Sequence, residues 1–200
     1  MEFARRAPVA PSRLAVFPGT FNPPTVAHLG LAGAALSAAD EVLLVLPRVF
    51  PHKSYAEGPS FEQRLELLLA AAAHQPRFSV AATDHGLFID IARDARVHYH
   101  PPPDLWFVCG HDAARRIAGW NYGHPGAFHR MLEEFGLLVA PRAGRFLPPD
   151  ELSHRILTLE CPPDLDAVSS TEVRRRVQAG EPWRHLVPSA IAEAVASLYR

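Results

Sequence analysis

The chain has 200 residues and a mass of 22.0 kDa, 48% of them hydrophobic and 20% charged. That is enough apolar material for one cored domain, and it excludes wholesale disorder. The net charge of −1 at pH 7 excludes bulk attraction to nucleic acid or to a membrane surface, so any phosphate must be held by a local site. No run approaches the roughly 18 uncharged apolar residues of a membrane span. Arg5 and Arg6 are followed by Ala and Pro rather than an apolar stretch, so no secretion signal is read. Cys109 and Cys161 have no metal-type spacing, and a reduced, cytoplasmic protein is expected.

Residues 1–12 mix Arg, Pro and Ala without periodicity and read as a flexible tail, leaving 13–200 as a single domain. Leu14 to Phe17 is a short apolar run closed by Pro18-Gly19, a buried strand. Thr25 caps a helix over Val26 to Leu36, with Pro23-Pro24 just before it. Glu41 to Leu46 is the next strand, and 48–60 a long loop. Ser60 with Gln63 resembles a capping box that opens a helix over Phe61 to His74. Phe78 to Ala82 is a third strand and 86–96 a short helix. Leu105 to Cys109 is a strong apolar strand ending at Gly110, followed by helices over His111 to Ala118 and Ala127 to Phe135. Leu137 to Ala140 and Ile156 to Leu159 complete the strands, and helices over Ser170 to Gln178 and Ser189 to Leu198 complete the chain. Alternating elements with continuously apolar strands imply an α/β fold. It is a Rossmann-like, doubly wound parallel sheet with helices on both faces and a C-terminal helical segment. Such sheets bind ligands beyond the carboxyl ends of their strands.

Two helix entrances stand out there. Gly19-Thr20-Phe21-Asn22-Pro23-Pro24-Thr25-Val26-Ala27-His28 follows the first strand. Gly19 permits close backbone approach, and the free N–H groups of a helix start suit a phosphate. Thr25 and His28, three apart, fall on one face of the first turn. A capped helix with an ordinary His is the plainer alternative. Val168-Ser169-Ser170-Thr171-Glu172-Val173-Arg174-Arg175-Arg176 repeats the logic with guanidinium groups, against the alternative of three solvated arginines. Lys53 is the only Lys among 20 basic residues. Either it survives by chance on a loop, or a compact point charge is needed there. His98 and His100 could share one side of a strand but lack a third metal ligand at a useful spacing.

In combination these segments are specific. The first resembles the phosphate-binding signature of the nucleotidyltransferase superfamily, and the second its Ser-Ser-Thr-x-x-Arg signature. Within that superfamily the chain is most similar to the nicotinate-nucleotide adenylyltransferases. Pro51-His52-Lys53 followed by Arg64, Gly110-His111-Asp112 with Trp120 beyond, Pro141-Arg142-Ala143-Gly144 and Leu186-Val187-Pro188 line up in the same order. The resemblance covers roughly residues 14–198.

It implies in-line attack by the phosphate of a mononucleotide on the α-phosphate of ATP, with pyrophosphate leaving and no covalent enzyme intermediate. Thr25, His28, Lys53 and Arg174 are the implied catalytic residues. Gly19, Thr20, Phe21, Gly110, Asp112, Ser169, Ser170 and Thr171 are the implied ATP site, with Asp112 reaching a ribose hydroxyl. Asn22, Phe88, Trp120 and Arg142 are the implied contacts to the small phosphorylated acceptor, Trp120 stacking on its ring. Mg2+ arrives on ATP, and no protein-held metal is implied. Neither nucleic acid nor a membrane is an implied partner, and a homo-oligomer is compatible with the resemblance. The chain departs from the family pattern in three places. Thr25 replaces the first His, as in the pantetheine-phosphate adenylyltransferases. Ala27 replaces a Gly. Gly86-Leu87-Phe88-Ile89-Asp90 replaces a Ser-Tyr-Thr stretch that contacts the nicotinate nucleotide, which puts the acceptor's identity in question. Two alternatives remain: adenylyl or cytidylyl transfer to another small phosphate ester, and a non-catalytic nucleotide-binding protein of the same fold.

Overall fold

The computed structural model describes residues 1–49, 58–119, 126–141, 148, 150–161, 165 and 167–200. The chain runs β1 (Glu2–Arg5), β2 (Arg13–Pro18), α1 (Val26–Ala35), β3 (Glu41–Pro47), α2 (Phe61–Ala72), β4 (Phe78–Thr83), α3 (Phe88–Arg96), β5 (Asp104–Gly110), α4 (His111–Gly119), α5 (Ala127–Glu134), β6 (Gly136–Ala140), β7 (Ile156–Thr158), α6 (Ser170–Ala179) and α7 (Ala192–Leu198). The strands form one sheet in the order β1-β4-β3-β2-β5-β6-β7. All neighbours are parallel except β1, which runs antiparallel to β4. The strand order reverses at β2, which pairs β3 on one side and β5 on the other. That pair is the topological switch point of an open α/β sheet.

The period of two along each strand explains the layers. Leu14 and Val16 of β2 join Leu43, Val45 and Phe107 on the face covered by α3, α4 and α5. Ala15 and Phe17 point the other way, with Val42, Leu44 and Leu46, under α1 and α2. A third cluster matters for the site. Leu67 and Ala71 of α2 pack with Val173 of α6, with Val195 of α7, and with Leu186 and Tyr199, while Val26, Ala27 and Leu29 of α1 lie against them. The C-terminal helices are therefore docked on the outside of α1 and α2. That docking carries the start of α6 to the start of α1.

Two expectations are corrected. Residues 2–5 are a paired edge strand rather than part of a flexible tail: Phe3 is seated between His98 and Tyr99, with ring centroids 5.6 and 6.0 Å away. Arg5 bonds the carbonyls of Ala72 and Gln75, and the Ala7 N–H donates to Ser79 Oγ at 2.8 Å. Four residues with a single large apolar side chain are too short for periodicity to reveal. His98 and His100 lie in a turn after α3 and not on a strand.

Candidate active site

A cleft of about 470 Å³ opens at the carboxyl ends of β2, β5 and β6, over the switch point. Gly19, Thr20, Thr25, Ala27 and His28 line one side, Gly86, Phe88, Cys109, Gly110 and Ala113 another, and Ser169 and Ser170 close a third. A cavity of about 760 Å³ lies at the amino ends of β5–β7. Its Arg96 and Arg155 are already neutralised by Glu134 and Asp104, and Glu133 and Glu151 add negative charge. Its greater size does not compensate for a field that repels phosphate. Among the described residues lining the smaller cleft there is no carboxylate.

The entrance of α1 is built by a reciprocal cap. Thr25, fully buried, takes extended backbone angles (φ −119°, ψ 166°), and its Oγ1 accepts from the His28 N–H at 3.3 Å. The Thr25 N–H donates to His28 Nδ1 at 3.0 Å, and Thr25 Oγ1 lies 2.7 Å from the same nitrogen. An amide N–H can only donate. Nδ1 is thus the acceptor, and the neutral ring carries its proton on Nε2. No acidic side chain occupies the first turn of α1, so that turn does not itself compensate the positive end of the helix dipole.

Before this helix the chain turns sharply. Phe21 has φ 43°, a left-handed angle that costs a non-Gly residue on the order of 1–3 kcal/mol. Its fully buried ring packs edge-on against Phe17 and His28, with centroids 5.7 and 5.2 Å away. Gly19 is obligatory above it: a Cβ there would sit 2.9 Å from the Phe21 ring. The turn is tied down from behind. The Gly19 N–H donates to the Val45 carbonyl at 3.0 Å, and Arg64 Nη1 to the Thr20 carbonyl at 3.1 Å. Ser170 Oγ donates to the Pro23 carbonyl at 2.7 Å, and Arg174 Nη1 to the Asn22 carbonyl at 2.6 Å.

The last two bonds bring the second entrance to the first. Ser169 caps α6 by accepting from the Glu172 N–H at 3.1 Å. Glu172 sits in the first turn, where its charge would oppose an anion. Arg175 and then Arg176 hold that carboxylate on the helix flank and pull its pKa down to about 2.

The predicted residues divide cleanly. Gly19, Thr20, Thr25, His28, Gly110, Phe88, Ser169 and Ser170 line the cleft together. Phe21 stands beneath it, fully buried, and does not line it. Arg174 is engaged with the loop and with Thr171 Oγ1, at 3.4 Å. Asn22 is turned inward, where its Oδ1 accepts from the Tyr199 hydroxyl at 2.6 Å, so its side chain does not face the cleft. Asp112 and Thr171 are exposed at the first turns of α4 and α6. Phe88 stacks on Phe107, with centroids 4.5 Å apart. Lys53, Trp120 and Arg142 lie outside the described residues. Tyr199 is the residue that sequence reasoning missed. It falls one position past the helix expected over Ser189 to Leu198, and nothing in the spacing indicates where its hydroxyl goes.

Comparison with known proteins adds an independent line. The cytidylyltransferase-like family model matches residues 16–176. A protein of Moorella thermoacetica named "probable nicotinate-nucleotide adenylyltransferase" is 31% identical over 208 residues, covering 95% of this chain and 93% of its own. A protein of the same name from Thermus thermophilus is 33% identical over 186 residues, covering 90% and 94%. Another from Clavibacter michiganensis is 31% identical over 204 residues, covering 96% and 97%. No helix among the described residues is long and apolar enough to cross a membrane.

Proposed function

The chain belongs to the cytidylyltransferase-like family, among relatives named as nicotinate-nucleotide adenylyltransferases, and from that premise we propose that it transfers the adenylyl group of MgATP to the phosphate of nicotinate mononucleotide. A phosphate oxygen of the acceptor attacks the α-phosphorus in line as the bond to the α,β-bridging oxygen breaks. A dinucleotide forms and pyrophosphate carries away the charge. The observation that carries this reading is the convergence of the α1 and α6 entrances on one cleft, joined by the Ser170–Pro23 and Arg174–Asn22 bonds.

In this reading the protein positions the reactants and neutralises charge. The backbone at Thr20 approaches the triphosphate, on a turn that the absence of a Cβ at Gly19 lets the Phe21 ring support from beneath. His28 donates from Nε2 to an oxygen of the leaving group, and Thr25 holds the ring in that tautomer. Ser169 and Ser170 line the ATP side. Arg174 adds a cation at the same entrance through the loop it holds. The resemblance assigns a catalytic role to Lys53, the ribose contact to Asp112 and the acceptor contacts to Trp120 and Arg142. Magnesium comes as part of the substrate. A cytoplasmic location, where ATP and mononucleotides occur, goes with the proposal.

The acceptor side has its own signature. Gly86, Phe88, Cys109 and Ala113 make an apolar wall, and Phe88 is fixed by its stack on Phe107. This wall suits a flat ring but offers it no hydroxyl. The test is pyrophosphate release from ATP with nicotinate mononucleotide, nicotinamide mononucleotide and phosphopantetheine as acceptors, repeated with CTP. The proposal expects ATP with nicotinate mononucleotide to turn over fastest. A faster rate with CTP, or with phosphopantetheine, would replace it.

A further inference from the structure

We propose that Tyr199 is a positioning residue for this reaction: its hydroxyl fixes Asn22, and through Asn22 the left-handed turn that aims the Gly19–Thr20 backbone into the cleft. The inference rests on the adenylyl-transfer reading and extends it to a side chain that touches neither substrate.

Tyr199 is 6% exposed and lies in the apolar cluster with Val173, Leu186 and Val195. A phenylalanine would fill that space equally well. The phenol brings in addition a polar group that must be satisfied when buried. Among the described residues it finds a single partner, Asn22 Oδ1, at 2.6 Å. Asn22 is itself 6% exposed and sits between the strained Phe21 and the start of α1. Its backbone carbonyl takes the Arg174 bond while its side chain takes the Tyr199 bond. Asn22 is therefore gripped at two points, from α6 and from the residue that follows α7. Phe21 has no freedom to relax to a negative φ without breaking one of these grips. Relaxation would swing the Gly19–Thr20 peptide and release the Phe21 ring from the His28 imidazole, 5.2 Å away. Burial raises the phenol's pKa, so it remains protonated and a donor at neutral pH.

Tyr199→Phe in the full chain keeps the ring and its packing and removes the hydroxyl alone. Pyrophosphate release is measured against MgATP and nicotinate mononucleotide, on protein whose circular dichroism matches wild type. The expected result is a fall in kcat of about 10-fold to 10²-fold, the scale of a small misplacement of reacting groups, with the KM for ATP changed less than kcat. Asn22→Ala should give a similar loss. The double variant should fall no further than the worse single one, since both remove one contact. Asn22→Asp, which keeps an acceptor oxygen, should lose less than Asn22→Ala. That comparison also serves if Tyr199→Phe fails to fold. A Tyr199→Phe kcat within twofold of wild type, multiplied losses in the double variant, or equal losses in Asn22→Asp and Asn22→Ala would overturn the proposal. If wild type itself releases no pyrophosphate, the adenylyl-transfer reading has failed. The positioning role is then read from ATP affinity by calorimetry: at least fivefold weaker binding by Tyr199→Phe upholds it, and unchanged affinity overturns it.

Discussion

His28 serves two purposes that can be separated. As the third residue of α1 it completes a capping box with Thr25, and as a cleft residue its proposed role is to present Nε2–H to a phosphate. Replacing it with Ala removes the acceptor for the Thr25 N–H, worth about 1 kcal/mol. It also removes the edge-on contact with Phe21, worth about 0.5–1.5 kcal/mol. The expected destabilisation is therefore about 1.5–2.5 kcal/mol. From a typical starting stability of about 5–15 kcal/mol, well over nine-tenths of the molecules stay folded, so lost folding cannot account for a large loss of rate. Losing one preorganised donor to the leaving group should cost about 10²–10³ in kcat. The chain itself supplies the control. Its second capping box, at α2, closes with a glutamine: Ser60 N–H donates to Gln63 Oε1 at 2.8 Å. His28→Gln should rebuild the cap and recover most of the stability in a urea titration. It should not recover turnover, because an amide that caps through its Oε1 does not place an N–H donor where the imidazole Nε2–H stands. A His28→Gln enzyme restored in both stability and kcat would refute the catalytic assignment and leave His28 a cap alone.

Gly136→Ala should lower stability by about 1–3 kcal/mol, because its Cβ would lie 2.4 Å from the Trp106 ring. That ring is held by Asp104, with Nε1 to Oδ2 at 2.6 Å; an unchanged melting temperature would contradict the packing argument. Glu41 is buried, and desolvation raises its carboxyl above the ordinary 4.5 despite bonds from Ser79 and Tyr99. The native state then binds that proton more tightly than the unfolded state. Its contribution is fully present below pH 4.5 and is lost as pH rises through the raised native value. The stability of wild type relative to Glu41→Gln should accordingly decline from pH 4.5 toward 7, and parallel curves would dismiss it. Burial pushes the Cys109 thiol up to about 12, whereas Cys161 is half-buried on the cleft. A thiol reagent at pH 8 should modify Cys161 first and more slowly with MgATP present; first modification at Cys109 would count against the arrangement.

The fold was legible because its signals are local and redundant. The runs Leu43 to Leu46 and Leu105 to Cys109 are too apolar for anything but a sheet covered on both faces, and capping residues such as Thr25 and Ser60 mark helix starts chemically. The edge strand at Glu2–Arg5 was not legible, since four residues with one Phe carry no period and its pairing is decided by β4, far along the chain. The cleft-lining half of the site was readable from its motif residues, Gly19, Thr25, His28, Ser169 and Ser170. What supports the motif was not. Asn22 looks like a ligand residue in sequence, whereas its side chain is turned inward to accept from the Tyr199 hydroxyl, 177 positions away. A hydrogen bond between two buried side chains at that separation leaves no local trace, because the docking of α6 and α7 on α1 and α2 creates it.

The measurement that bears most directly on the whole account is a crystal structure with Mg2+ and a non-hydrolysable ATP analogue. The account predicts the triphosphate over the Gly19–Thr20 backbone, with His28 Nε2 and the start of α6 both within hydrogen-bonding reach of its oxygens. An analogue seated in the cavity beside Arg96 and Arg155, or touching one entrance and not the other, would contradict it.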